Sequence, residues 1–113
     1  MAIFFKSDEI LFEPHPKFDG VKIAKLAGKK QDSVIGVSIL SIRSGVEIPV
    51  HIHDNNIDSI YCLEGSGEIY RDGHWQPFSK GDYCFVPPKE EHGVKSAAGQ
   101  ELKLFIVHSP PLF

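Results

Sequence analysis

Glycine and proline interrupt this sequence at intervals of roughly 8–12 residues, and the runs between them are short and rich in Val, Ile, Phe and Tyr. Runs of that length match β-strands and are too short for the three or so turns of an average globular helix. Helical periodicity of apolar positions is weak throughout, so an all-β fold is expected. The strands are expected over Val21–Leu26, Ser33–Ile42, Val50–His53, Asp58–Glu64, Gly67–Arg71, His74–Phe78, Tyr83–Val86, His92–Ser96 and Leu102–His108. The clearest local signal is Asp72-Gly73 between Glu68–Arg71 and His74–Gln76. A two-residue turn with positive φ at both central positions favours that dipeptide, which predicts a hairpin. Closing such strands into a barrel or a sandwich removes exposed sheet edges, and periodicity alone does not choose between the two.

The chain has 113 residues, of which 42% are hydrophobic, with 8 Phe, 3 Tyr and 1 Trp. That is enough bulky apolar material for one core, so a single domain over residues 1–113 is expected, without a linker or internal repeat. Residues 1–28 are less regular and read as an N-terminal arm followed by the first strand. Pro14 and Pro16 flank His15 there and are expected to break any sheet ladder. The tail Ser109–Phe113 is expected on the surface. The longest apolar stretch, Met1–Phe5, is far short of a membrane span, and Asp8 and Glu9 follow too soon for a signal peptide. The expectation is a cytoplasmic protein without a membrane partner. Lys and Arg number 12 against 15 Asp and Glu, for a net charge of −3, and the charges are evenly spread. No basic stripe offers itself to nucleic acid. Cys62 and Cys84 lie in apolar runs and are read as reduced packing residues.

The stretch most informative about chemistry runs from Gly45 through His51 and His53 to Asp58. Strand side chains alternate faces, so His51 and His53 project to the same side, about 6–7 Å apart. The Asp54-Asn55-Asn56 loop then lets the chain reverse, and Asp58 opens the next strand with a carboxylate that can reach the same space. His92 arrives on a later strand, after Pro87–Glu91. Three imidazoles and one carboxylate suit a divalent transition metal (Fe, Mn, Ni, Co, Cu or Zn) rather than Ca or Mg, which prefer oxygen alone. Four protein donors would leave a position open on a five- or six-coordinate ion, as in a catalytic site.

These residues carry a family resemblance. Gly45, His51, His53, Asp58 and Gly65 fall on the first cupin motif, with Asp58 replacing Glu at unchanged spacing. Gly81, Pro87 and His92 fall on the second, with Lys89 replacing its second Gly and Ser96 its Asn. The chain therefore resembles a small single-domain cupin, and the resemblance covers residues 33–108. It implies an antiparallel jelly-roll β-barrel, with His51, His53, Asp58 and His92 as metal ligands inside its open end. Gly45 and Gly81 become turn residues needing unusual φ, and Pro87 the end of a strand. Asp is one methylene shorter than Glu, which leaves three arrangements open: a strand closer to the ion, an intervening water, or Asp58 acting through a hydrogen bond.

Alternation places Ile60, Cys62 and Val94 on the pocket side, with Cys62 read as apolar filler ahead of a metal ligand. Asp54 is the substitute carboxylate, and Glu47, Glu90 and Glu91 are read as exposed rim charge. His15, His74 and His108 have no partner at ligand spacing and are assigned no chemistry, while Phe85, Phe105 and Trp75 read as core or dimer contacts. The leading functional reading is a metal-dependent enzyme acting on a small organic molecule, of oxygenase, isomerase, decarboxylase or lyase type. Behind it stand a non-catalytic small-ligand binding or sensing module, with or without metal, and a purely structural metal. The family's dimers imply a homodimer, for which Ile3, Phe4, Phe5, Leu11 and Phe12 offer apolar surface.

Overall fold

A computed structural model describes residues 1–113. Ten strands follow in order: β1 Glu13–Pro14, β2 Val21–Ala27, β3 Gly36–Ile42, β4 Glu47–His51, β5 Ile57–Glu64, β6 Ser66–Arg71, β7 His74–Ser79, β8 Tyr83–Val86, β9 His92–Ser96 and β10 Leu102–Ser109. They form a six-stranded sheet in the order β1-β2-β3-β10-β5-β8 and a four-stranded sheet in the order β4-β9-β6-β7. All pairings are antiparallel. The only helical pieces are two single 3-10 turns, Ser7–Glu9 and Lys29–Gln31. No helix is long and apolar enough to cross a membrane.

Period-two alternation decides what the sheets bury. In β10, Leu102, Leu104, Ile106 and His108 are buried while the residues between them are half-exposed. In β5, Asp58, Ile60 and Cys62 take the inner face, as the sequence predicts, and Tyr61 points outward. Both sheets contribute to one core, with Val21, Ile23, Ile42, Leu102 and Leu104 from the larger and Ile48, Ile69, Phe78 and Val94 from the smaller. Each fully buried Leu or Ile stabilises the fold by roughly 1.5–3 kcal/mol relative to exposure. Cys62 and Cys84 are buried and unpaired, as expected.

The Asp72-Gly73 turn joins β6 to β7 with φ of 51° and 88°, the doubly positive backbone that the dipeptide predicts. Gly45 and Gly81 have φ of 72° and 92°, the left-handed region expected of them as turn residues. β8 ends at Val86, directly before Pro87.

Five expectations are corrected. β4 lies earlier than Val50–His53, because Pro49 is accommodated in an edge strand whose ladder with β9 is irregular between Ile48 and His51. β3 begins three residues later than Ser33, since Asp32 has φ of 54° and the Ser33 hydroxyl accepts the Ile35 N–H at 3.1 Å, folding those residues into a turn. Pro14 does not abolish pairing: it sits opposite Lys22 in the outermost strand, where a missing donor costs no inner ladder bond. The tail packs against the barrel, with Ser109 Oγ donating to the Val34 carbonyl at 2.9 Å, the Lys29 N–H donating to the Phe113 carbonyl at 2.8 Å, and Phe113 lying against the core. Phe85 is no core residue, since it is 54% exposed on the edge strand β8.

Candidate metal centre

The register of two strand pairs brings the sequence-predicted donors together. His51, the last residue of β4, lies opposite His92, the first of β9. Asp58, near the start of β5, lies opposite His108 on β10. His53 follows β4 by two residues, and its carbonyl accepts the Lys89 N–H at 2.8 Å, which fastens the loop after β4 to the loop before β9. Lys89 adopts φ of 69° there, so the lysine that replaces a motif glycine takes up a left-handed backbone. The ring centroids of His51 and His92 are 4.3 Å apart, those of His51 and His53 4.9 Å, and those of His53 and His92 5.2 Å.

The donors form two overlapping triplets that share His53. In His51, His53 and His92, and again in His53, Asp58 and His108, the ligand atoms lie within 4.8 Å of one another. Asp58 Oδ2 stands 3.1 Å from His92 Nε2, 3.4 Å from His108 Nε2 and 3.7 Å from His53 Nε2. The shorter side chain of Asp58 therefore still reaches the rings. Asp54, the substitute carboxylate, is exposed, as are Glu47, Glu90 and Glu91.

Backbone carbonyls orient two of the rings. His51 Nδ1 lies 2.7 Å from the Pro49 carbonyl and His92 Nδ1 lies 3.1 Å from the Glu90 carbonyl. A carbonyl only accepts, so both Nδ1 atoms carry hydrogen and the Nε2 atoms are turned to the cluster. Burial pushes the His53 imidazole down to about 4, against the pull of Asp58. Burial lowers His51 as well, against its bond to the Pro49 carbonyl. For His92 burial acts downward, but the bonds to Asp58 and to the Glu90 carbonyl win and raise it. Burial would raise Asp58, yet hydrogen bonds from His108 and His92 hold it well below the usual carboxylate range. His51 and His53 are thus neutral near pH 7, with lone pairs available, beside an ionised carboxylate.

Two buried polar atoms have no partner, Asp58 Oδ1 and His108 Nδ1. A buried carboxylate oxygen left unpaired is costly, and such an orphan beside three imidazoles fits a group built to hold a cation. The residue types fit a borderline divalent ion.

The cluster lines a cavity of about 290 Å³ between the sheets. Much of its lining is apolar, with Leu40, Ile60, Val94, Leu104 and Ile106. Ile60 and Val94 line it as expected, whereas Cys62 sits deeper, its thiol 3.5 Å from the Glu64 carbonyl. Two histidines that the sequence reading left without chemistry are here. His108 joins the Asp58 triplet, and it could have been found because it continues the inward phase Leu102, Leu104, Ile106. His15 lines the cavity with Lys17 and Phe18, from an irregular loop that offers no periodic signal. His74 is exposed, as expected.

Comparison with known proteins gives the same frame. The family model described as "Cupin domain" matches residues 38–108. The chain is 28% identical over 85 residues to L-ectoine synthase from Vibrio campbellii, covering 73% of this chain and 66% of that protein. It is 31% identical over 64 residues to L-ectoine synthase from Aliivibrio fischeri, covering 55% and 50%. The chain thus spans one half to two thirds of the length of these relatives. Among solved structures, the polyketide cyclase RemF from Streptomyces resistomycificus superposes with a TM-score of 0.85 at 20% identity, over 100% of this chain and 87% of that one. Ectoine synthase from P. lautus superposes with a TM-score of 0.83 at 22% identity, over 98% and 80%. At such identities these structures share the fold. With the family match extending over more than half of the chain and taking in His51, His53, Asp58 and His92, this chain belongs to the cupin domain family.

Proposed function

We propose that the chain is a single-domain, metal-dependent enzyme acting on a small organic molecule. The observation that carries this reading is the convergence of His51, His53, Asp58 and His92 on one cavity whose lining is half hydrophobic. In this reading those four residues hold a divalent transition metal, Fe, Mn, Ni, Co, Cu or Zn, and the bound ion stabilises negative charge that develops on a substrate oxygen. The protein's own groups do the rest. The Pro49 and Glu90 carbonyls fix the rings of His51 and His92. Leu40, Ile60, Val94 and Ile106 exclude water and hold the carbon skeleton. Asp58 and His108, with Oδ2 and Nε2 3.4 Å apart, are placed to hold a proton beside it, a partner the sequence reading lacked. A cavity of about 290 Å³ suits a small metabolite. Relatives named synthase and cyclase favour lyase or isomerase chemistry over oxygenation.

Elemental analysis of untagged protein tests the reading. About one transition-metal ion per chain is expected, and loss of that ion in the His51→Ala/His92→Ala variant. Absence of metal after reconstitution would overturn the reading, and ligand binding without turnover would make the chain a binding module.

We further propose a cytoplasmic homodimer. The unpaired thiols of Cys62 and Cys84 suit a reducing compartment. Ile3, Phe4, Phe5, Leu11 and Phe12 are all exposed, as are Tyr83 and Phe85 on edge strand β8. Such surface calls for a cover. Light scattering on a sizing column at micromolar concentration should give twice the 12.6 kDa chain mass, and a monomer mass would remove this proposal.

A further inference from the structure

Beyond Phe18, as seen from the donors, the cavity wall is formed by the loop between β1 and β2. The Phe18 ring lies 5.9 Å from that of His51 on one side and 4.9 Å from that of His15 on the other. Two main-chain N–H groups, of Lys17 and Phe18, donate to His15 Nδ1 at 3.0 and 3.3 Å. Nδ1 is therefore the lone-pair nitrogen, and a neutral ring carries its proton on Nε2, at the opposite ring edge. Burial, with the charges of Lys17 and Lys25, holds His15 below the usual imidazole range, so the neutral form prevails near pH 7. No protein group takes up this Nε2–H.

Lys17 is the second element. It lines the same wall, with Nζ 5.7 Å from the Phe18 ring, and no carboxylate pairs with it. The neighbouring Lys25 is paired with Glu13 at 3.4 Å. Asp58 is the one acidic residue that lines the cavity, and it is taken up by the imidazoles of His92 and His108. The cavity lining thus combines the donor cluster, apolar side chains and, beside His51 across the Phe18 ring, an unpaired ammonium with a free N–H donor.

We infer that the His15–Phe18 loop is a second anchor, which selects substrates carrying a further carboxylate besides the metal-binding group. His15 Nε2 and Lys17 Nζ grip that carboxylate while the carbon chain lies against the apolar lining. The inference rests on the proposed function, since it takes the substrate's other end to be held at the donor cluster. His15 and Lys17 are binding residues in this scheme and touch no reacting atom.

A matched pair of probes tests it. α-Ketohexanoate and α-ketoadipate have the same metal-chelating head and carbon count, and the second adds a distal carboxylate. Calorimetric titration into protein loaded with divalent manganese should show α-ketoadipate binding about tenfold tighter, the size expected of charge-assisted hydrogen bonds. His15→Asn keeps an acceptor for the Lys17 and Phe18 amides and removes the far N–H, while Lys17→Met keeps length and removes charge. Each should reduce the preference at least about threefold. The double variant should abolish it, and Lys17→Arg should keep it, all with metal content and melting temperature unchanged. Equal binding of the two acids by the unaltered protein, or a preference that survives in the double variant, overturns the second anchor and leaves the metal reading standing. Failure of both acids to bind the loaded protein overturns the proposed function and this inference with it.

Discussion

The donor cluster and the wall beside it are built from different kinds of backbone. Of the donors, Asp58, His92 and His108 stand on strands paired on both sides, with β5 between β10 and β8, β9 between β4 and β6 and β10 between β3 and β5, while His51 ends the edge strand β4 and His53 follows it. The rest of the wall beside them includes the irregular loop His15–Phe18 and the tail residues Leu112 and Phe113, held by isolated bonds such as the His15 N–H to the Val21 carbonyl at 2.9 Å. The donors all lie inside the residues matched by the family model, and the loop and tail lie outside them. Metal ligands need fixed relative positions, which double-sided ladders supply, whereas a wall that only shapes a ligand can be made from segments free to change.

The largest expected contrast sets Leu104→Ala against Phe18→Ala. Leu104 is fully buried in the core under the cavity, so its truncation should cost about 2–5 kcal/mol in chemical denaturation. Phe18 is half-buried and should cost about 1–2 kcal/mol, with its main effect on ligand affinity. Equal losses would mean that the loop is part of the core and that the contrast is false.

A smaller effect is expected from acid. In the unfolded chain imidazoles titrate near 6.5, whereas His53 in the fold is near 4 and His51 and His15 are also lowered. Between pH 6.5 and about 4 the unfolded state binds more protons, so the melting temperature of metal-free protein should fall on acidification through that window. His92 is raised and has the opposite sign: its contribution is present below 6.5 and is lost as pH rises through its folded value. Comparing His53→Asn with His15→Asn tells which of the two regions supplies the slope, and a flat profile in the unaltered protein would contradict the burial of these rings.

The smallest effect is local. Lys89→Gly relieves a left-handed lysine and should raise stability by about 1 kcal/mol or less, without altering metal content. A loss of stability would show that the lysine side chain, and not its backbone, holds the loop.

What the sequence disclosed follows the same division. β8 and β9 lie at their expected limits because period-two alternation and a flanking proline mark them. His51, His53, Asp58 and His92 were legible because ligand chemistry restricts residue type and spacing together. His108 was hidden because its partner Asp58 is fifty residues away in the chain and only the β5–β10 register joins them. The start of β4 was misplaced because a proline at a bulge looks the same in sequence as a proline that stops a strand. His15, Lys17 and Phe18 were unreadable because their meeting with the cavity depends on how a non-repeating loop closes, which no periodicity encodes.

The bond from the Lys89 N–H to the His53 carbonyl bears on kinetics as well as on shape. It latches the two motif loops together before any ion arrives, so an incoming metal meets His53 and His92 already in register and need not wait for separate loops to find each other. The ordering entropy has been spent during folding. Metal uptake should then proceed in one step, at a pace set by the ion's shedding of water and by release of the proton that His92 shares with Asp58.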